Sequence, residues 1–124
     1  MFLSRIILIS ILFFNTLSDF PVDRTLFISP LRIPISLAAN FGELRVDHFH
    51  SGIDIKTQGV TGKEVVAAAD GYVFRIGVSP TGFGNALYLR HPSGYSTVYG
   101  HLEKFRPDID AYVKLQQYER KSFA

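Results

Sequence analysis

Cysteine is absent from this 124-residue chain. Without thiols, the protein cannot form a disulfide framework, hold zinc through thiolates, use a cysteine nucleophile or carry a lipidated cysteine after a leader. Clusters of basic residues are missing too, and the formal net charge is only +2. No lysine- and arginine-rich stripe with interleaved aromatics is present, so the sequence does not predict nucleic-acid binding.

The chain also lacks a run of about 20 apolar residues, which a membrane-spanning helix needs. Its longest mostly apolar run, Ile6 to Phe14, is shorter, follows Arg5 and precedes small polar residues up to Ser18. This layout is typical of a secretory signal peptide over residues 1–18, with an uncleaved anchor as the alternative. We therefore expect export to the periplasm, the outer surface or the medium, without a stable membrane span.

The remaining chain predicts one mainly β domain. Prolines punctuate residues 19–38, which we interpret as an extended lead-in, and residues 39–124 form the domain itself. Short runs of aromatic and β-branched residues separated by turn signals predict antiparallel strands. The predicted strands are Val65–Ala69, Tyr72–Val78, Ala86–His91 and Tyr95–Leu102.

One segment departs from this β pattern near the C-terminus. Pro107 suits the first position of a helix, and Asp108 and Asp110 suit its first turn. The sequence therefore predicts a short helix over residues 107–120, appended to the sheet.

His50 and Asp54 are the first candidates for a functional site. Imidazole and carboxylate are zinc ligands in hydrolases, which use three protein ligands and keep a further position for water. The spacing fits one helix face, but Gly52 and the strand-like residues after it favour a turn that enters a strand. On their own, the two residues are weak evidence for a metal site, and a surface histidine beside a turn aspartate is the favoured interpretation of the pair alone.

His101 is the second candidate. Alternation along the predicted strand places His101 on the same face as Thr97 and Tyr99, which would suit either a polar groove or a solvent-facing sheet surface. His48 is interpreted as a solvated neighbour of His50, and His91 as a polar residue at the start of a hairpin turn.

Four motifs in a fixed order resemble the lysostaphin-type (LytM-like) zinc metallopeptidases of bacterial cell walls. The resemblance covers about Ser29 to Phe105 and is closest to the secreted subgroup of Bacteroidetes-type bacteria. The motifs are Phe49–Ile55, Val66–Val73, Gly82–Asn85 and His91–Leu102.

The resemblance implies a mainly β fold with a groove, an antiparallel sheet of the duplicated hybrid motif type. It implies that His50 and Asp54 bind Zn²⁺ and that His101 is a catalytic histidine beside the metal. The implied substrate is the peptide part of peptidoglycan, in stems or cross-bridges. The family's later His-x-His strand has no counterpart in the sequence, so we expect an N-terminal part of such an enzyme.

Three functions follow as hypotheses. The first is a cell-wall zinc metalloendopeptidase, present as a truncated or partial copy. The second is a non-catalytic module of the same fold that binds peptidoglycan or regulates wall hydrolases. The third is a self-sufficient enzyme in which His50, Asp54 and His101 together form the ligand set.

Overall fold

A computed structural model describes Asp23 and residues 25–124 of the chain. The predicted signal peptide, residues 1–18, lies outside the described residues. In chain order, the described elements are β1 (Leu37–Ala39), β2 (Asp54–Ile55), β3 (Tyr72–Gly77), β4 (Ala86–Arg90), β5 (Ser96–Tyr99) and α1 (Pro107–Arg120).

The strands form two antiparallel sheets, which confirms the predicted mainly β fold. Strand β1 pairs with β2, placing Ala39 opposite Asp54. The larger sheet has the order β3-β4-β5, with Gly77 opposite Ala86 and Leu87 opposite Tyr99. The central strand β4 contributes the buried residues Ala86 and Leu89. Sequential strands joined by short loops explain this topology, since adjacent antiparallel strands need only a hairpin.

The prediction of a strand over Val65–Ala69 is wrong. Only Val65 pairs, in an isolated bridge to Leu31, and the chain then bends. The backbone of this segment bonds irregularly instead: Ala68 accepts a hydrogen bond from the Ile28 N–H at 2.7 Å and donates one to the Tyr99 hydroxyl at 2.8 Å. Part of the predicted lead-in is thereby fixed against the segment that precedes β3.

The predicted helix is present and runs from Pro107 to Arg120. Arg106 donates two hydrogen bonds of 2.7 Å to the carboxylate of Asp108, and these hold the pKa of Asp108 at about 2. The negative charge lies in the first helical turn, where it suits the helix dipole. Lys121 ends the helix with a φ of 50°, a left-handed conformation common at this position. Among the residues that the structure describes, no helix is long and apolar enough to cross a membrane.

Gly71 occupies a close approach between the segment before β3 and the end of β4. A Cβ at this position would overlap the carbonyl oxygen of Arg90 and lie 2.8 Å from Nδ1 of His91. The Arg90 backbone is held in the sheet and cannot shift without disturbing it, and overpacking of this kind typically destabilises a protein by about 1–3 kcal/mol.

We therefore expect Gly71→Ala to lower the free energy of unfolding by about 2 kcal/mol, measured by urea denaturation. Gly52→Ala is the matched control, because a Cβ there would meet nothing within 4 Å. Equal stability losses in both variants would contradict the proposed close approach.

Candidate metal site

A short hairpin places His50. Leu44 and Phe49 form an antiparallel bridge, and the Arg45 N–H donates to the His48 carbonyl at 2.8 Å across the tip. At the base of the hairpin, the His50 N–H donates to the Glu43 carbonyl at 2.8 Å, which fixes the His50 backbone. A turn at Phe41 and Gly42 precedes this hairpin, with Gly42 at a φ of 76°.

His50 and Asp54 lie next to each other. Asp54 is in strand β2, so the chain between them is a turn entering a strand and not a helix. Nε2 of His50 is 3.3 Å from Oδ1 of Asp54. Two ligand atoms about 2.0 Å from a tetrahedral zinc ion stand roughly 3.3 Å apart, so these two atoms fit one edge of such a site.

The opposite nitrogen of the His50 ring has the partner that a metal-binding histidine needs. Nδ1 lies 3.0 Å from the backbone carbonyl oxygen of Asn40. A carbonyl can only accept, so Nδ1 donates its proton to Asn40 and Nε2 is the ring nitrogen left to bind a metal. The His50 side chain is only 18% exposed, so its ring has little room to turn away.

Arg45 contacts the same carboxylate from the other side, a feature that the sequence analysis missed. Its Nη2 donates a hydrogen bond of 3.0 Å to Oδ2 of Asp54 and lies 3.7 Å from Oε2 of Glu43. This leaves Oδ1 of Asp54 directed at His50. The folded hairpin brings residue 45 back beside residue 54, and no local motif in the sequence marks this contact.

His48 does not join this pair. Its side chain is 64% exposed and its Nδ1 lies against the carboxylate of Asp47, whose pKa the hydrogen bond from His48 lowers. This agrees with the interpretation of His48 as a solvated neighbour.

His101 is exposed and lies just beyond the sheet, so its predicted place on a strand is wrong. Strand β5 ends at Tyr99, and His101 has a left-handed φ of 55°. Its N–H donates to the Phe83 carbonyl at 2.8 Å, in the loop before β4. Gly100 lies close to that loop, where a Cβ would come within 3.1 Å of the Phe83 ring. The loop, and not the ladder of β5, therefore fixes the His101 backbone.

His91 opens the hairpin turn, as predicted, but it is buried, with 3% of its surface exposed. Its Nδ1–H donates to the Asp70 carbonyl at 2.8 Å, and its Nε2 lies 2.9 Å from the Thr97 hydroxyl. The Thr97 hydroxyl bonds in turn to that of Tyr99 at 3.0 Å. His91 thus joins three segments of the chain through its ring.

The three predicted site residues are not grouped as a metal-ligand set in the described part of the chain. His50 and Asp54 are paired, but within the part of the chain that the structure describes no three His, Cys, Asp or Glu side chains are grouped closely enough to hold a metal ion. The arrangement gives no geometric support to a ligand set formed by His50, Asp54 and His101 alone. The donor set that is present suits two ligands of a zinc-type site.

The domain is mainly β, and its adjacent imidazole and carboxylate, oriented by a carbonyl and a guanidinium, suit two ligands of a metal site. The sequence model of Peptidase family M23 matches residues 48–118, more than half of the chain. The chain belongs to this family, which confirms the lysostaphin-type (LytM-like) resemblance. Membership implies a metal ion.

One curated relative is a Haemophilus influenzae protein described as an uncharacterized metalloprotease. It is 40% identical over 55 residues, which are 44% of this chain and 11% of the relative. The chain thus matches about a tenth of the relative's own length. No solved structure matches the chain.

Proposed function

We propose that the chain is the zinc-binding part of an exported peptidoglycan metalloendopeptidase. The observation that carries the proposal is the 3.3 Å approach of His50 Nε2 to Asp54 Oδ1 within the region that matches Peptidase family M23. His50 and Asp54 would supply two of the protein ligands to Zn²⁺. The proposed substrates are peptide stems or cross-bridges of the wall.

The residues around the pair support a metal-binding role. The Asn40 carbonyl orients the His50 ring, and Arg45 holds one oxygen of Asp54 so that the other is directed at His50. Mutation of such outer contacts typically lowers metal affinity or activity about 10- to 100-fold. When bound, zinc supplies Lewis acidity that activates water and polarises the scissile carbonyl.

His101 is the proposed catalytic residue. An imidazole N–H directed at the reacting carbonyl would stabilise the negative charge that develops on its oxygen. The hydrogen bond from the His101 N–H to the Phe83 carbonyl and the contact of Gly100 with that loop support this role by fixing the backbone of an exposed side chain.

The test separates catalysis from metal binding. Wild-type chain and the His101→Asn variant are loaded with Zn²⁺, and release of new amino groups from purified peptidoglycan is followed. We expect the cleavage rate of the variant to fall by about 10²- to 10³-fold, the typical cost of losing one oxyanion donor. Zinc affinity, measured by competition with a chromogenic chelator, is expected to stay within about twofold because His101 lies outside the ligand pair.

A second candidate function is a non-catalytic module that binds peptidoglycan or regulates wall hydrolases. It is favoured by the finding that no third metal-binding side chain joins His50 and Asp54 among the described residues. Binding to purified wall without release of amino groups, in the presence of saturating Zn²⁺, would select this function over the endopeptidase.

A further inference from the structure

The arginines of the described chain fall into two groups. Arg32, Arg45 and Arg106 each lie within 4.0 Å of a carboxylate oxygen. The other three have no such ion pair within residues 25–124, and they are Arg75, Arg90 and Arg120. These three exposed side chains belong to one region, formed by β3, β4 and α1.

Aromatic rings hold two of these guanidinium groups in place. The guanidinium carbon of Arg75 lies 4.8 Å from the ring centre of Tyr88, and that of Arg90 lies 4.9 Å from the ring centre of Phe74. The two rings meet edge to face at 6.1 Å. The result is a continuous row in the order Arg90, Phe74, Tyr88, Arg75.

A groove between β3 and α1 continues this row. It has a volume of about 430 Å³ and is lined in part by Phe74, Arg75, Tyr112, Gln116 and Arg120. No aspartate or glutamate side chain is among its lining residues. We call the three arginines with Phe74 and Tyr88 the arginine surface.

The chemistry of this surface selects an anionic partner. Guanidinium groups bind carboxylates through paired hydrogen bonds, and a group already stacked on a ring loses less freedom when it binds. Unpaired cations repeated along a surface suit a polymer with repeated anions, because several weak contacts act together.

We propose that the arginine surface binds the carboxylates of peptidoglycan peptide stems, outside the reacting centre. The choice of this polymer rests on the proposed function. The surface would hold the wall polymer through charge, while the metal pair acts on a peptide bond.

The experiment measures binding of the 124-residue chain to insoluble peptidoglycan freed of other polymers. EDTA is present throughout, so that the result does not depend on zinc or on cleavage. The test variant is R75Q/R90Q. The matched control is R32Q/R106Q, which removes the same charge from arginines that already have carboxylate partners.

We expect the Kd of R75Q/R90Q to rise about tenfold, and that of R32Q/R106Q to change by less than about twofold. Wild-type chain is expected to lose a similar share of its binding when the carboxylates of the polymer are converted to amides. Circular dichroism checks that both variants remain folded.

Several outcomes would overturn the proposal. Equal weakening of the two variants would indicate a general effect of charge, and undiminished binding to the amidated polymer would exclude the carboxylates. If the chain bound inorganic polyphosphate more tightly than peptidoglycan, and this binding depended on Arg75 and Arg90, the surface would be assigned to phosphate polymers. A different outcome would separate the two proposals. If binding depends on Arg75 and Arg90 but the chain does not cleave peptidoglycan, the arginine surface is supported and only the endopeptidase function is rejected.

Discussion

Replacing His50 with alanine is expected to weaken Zn²⁺ binding by at least about 100-fold, beyond the usual effect of losing an outer contact. The ring supplies one of the two paired donor atoms, and its loss leaves Asp54 with Arg45 as a competing partner at 3.0 Å. Hydrolysis of peptidoglycan should fall to the background rate. The measurements are chelator competition for zinc and release of amino groups from purified wall.

His48→Ala is the matched control for this variant. His48 stands near His50 in the same hairpin, but its ring is 64% exposed and lies against Asp47. We expect its zinc affinity and cleavage rate to stay within about twofold of wild type, as for a surface residue away from the site. If His48→Ala lost zinc and His50→Ala kept it, the proposed assignment of the ligand pair would be wrong.

Local pattern was sufficient to predict much of this fold. Alternation and turn residues predicted β3, β4 and the hairpin that leads into β5, and Pro107 with two acids predicted the start of α1. The pairing of His50 with Asp54 also depends only on a short segment, so a motif could reveal it.

The errors arose where distant segments decide the structure. The alanine-rich run after Val65 has the composition of a strand, but Ala68 bonds to Ile28 and Tyr99, which are far away in the chain. The carbonyl of Asp70, just after the run, bonds to His91. His101 leaves the strand pattern because its N–H bonds to the loop at Phe83. Arg45 reaches Asp54 only after two hairpin strands fold together. None of these contacts has a periodic signature in the sequence.

His91 is the clearest such case, and it carries the second large prediction. Its burial depends on Phe27, whose ring packs edge-on against the imidazole at 5.5 Å, and on Thr97 across the turn. A histidine at the start of a hairpin turn would ordinarily face solvent. Here it joins the segment before β3 to the strand β5 and fills the space that Gly71 leaves open.

We expect His91→Leu to lower the free energy of unfolding by about 3 kcal/mol, measured as the shift in urea midpoint. Leucine cannot donate to the Asp70 carbonyl or bond the Thr97 hydroxyl, so the carbonyl loses its imidazole partner and the hydroxyl keeps only its bond to Tyr99. Each such loss costs about 1–3 kcal/mol when water cannot replace the partner, while the added apolar contact offsets part of it.

Two comparisons make this prediction specific. His48→Leu introduces the same change at a 64% exposed position, and its stability should stay within about 0.5 kcal/mol of wild type. His91→Gln keeps a donor and an acceptor and should recover part of the loss. A His91→Leu protein as stable as the His48→Leu protein would mean that water reaches Asp70 and Thr97, and that the ring is not what joins these segments. A large loss confined to His91 would instead identify this buried imidazole as a stabilising centre of the larger sheet, separate from the metal pair.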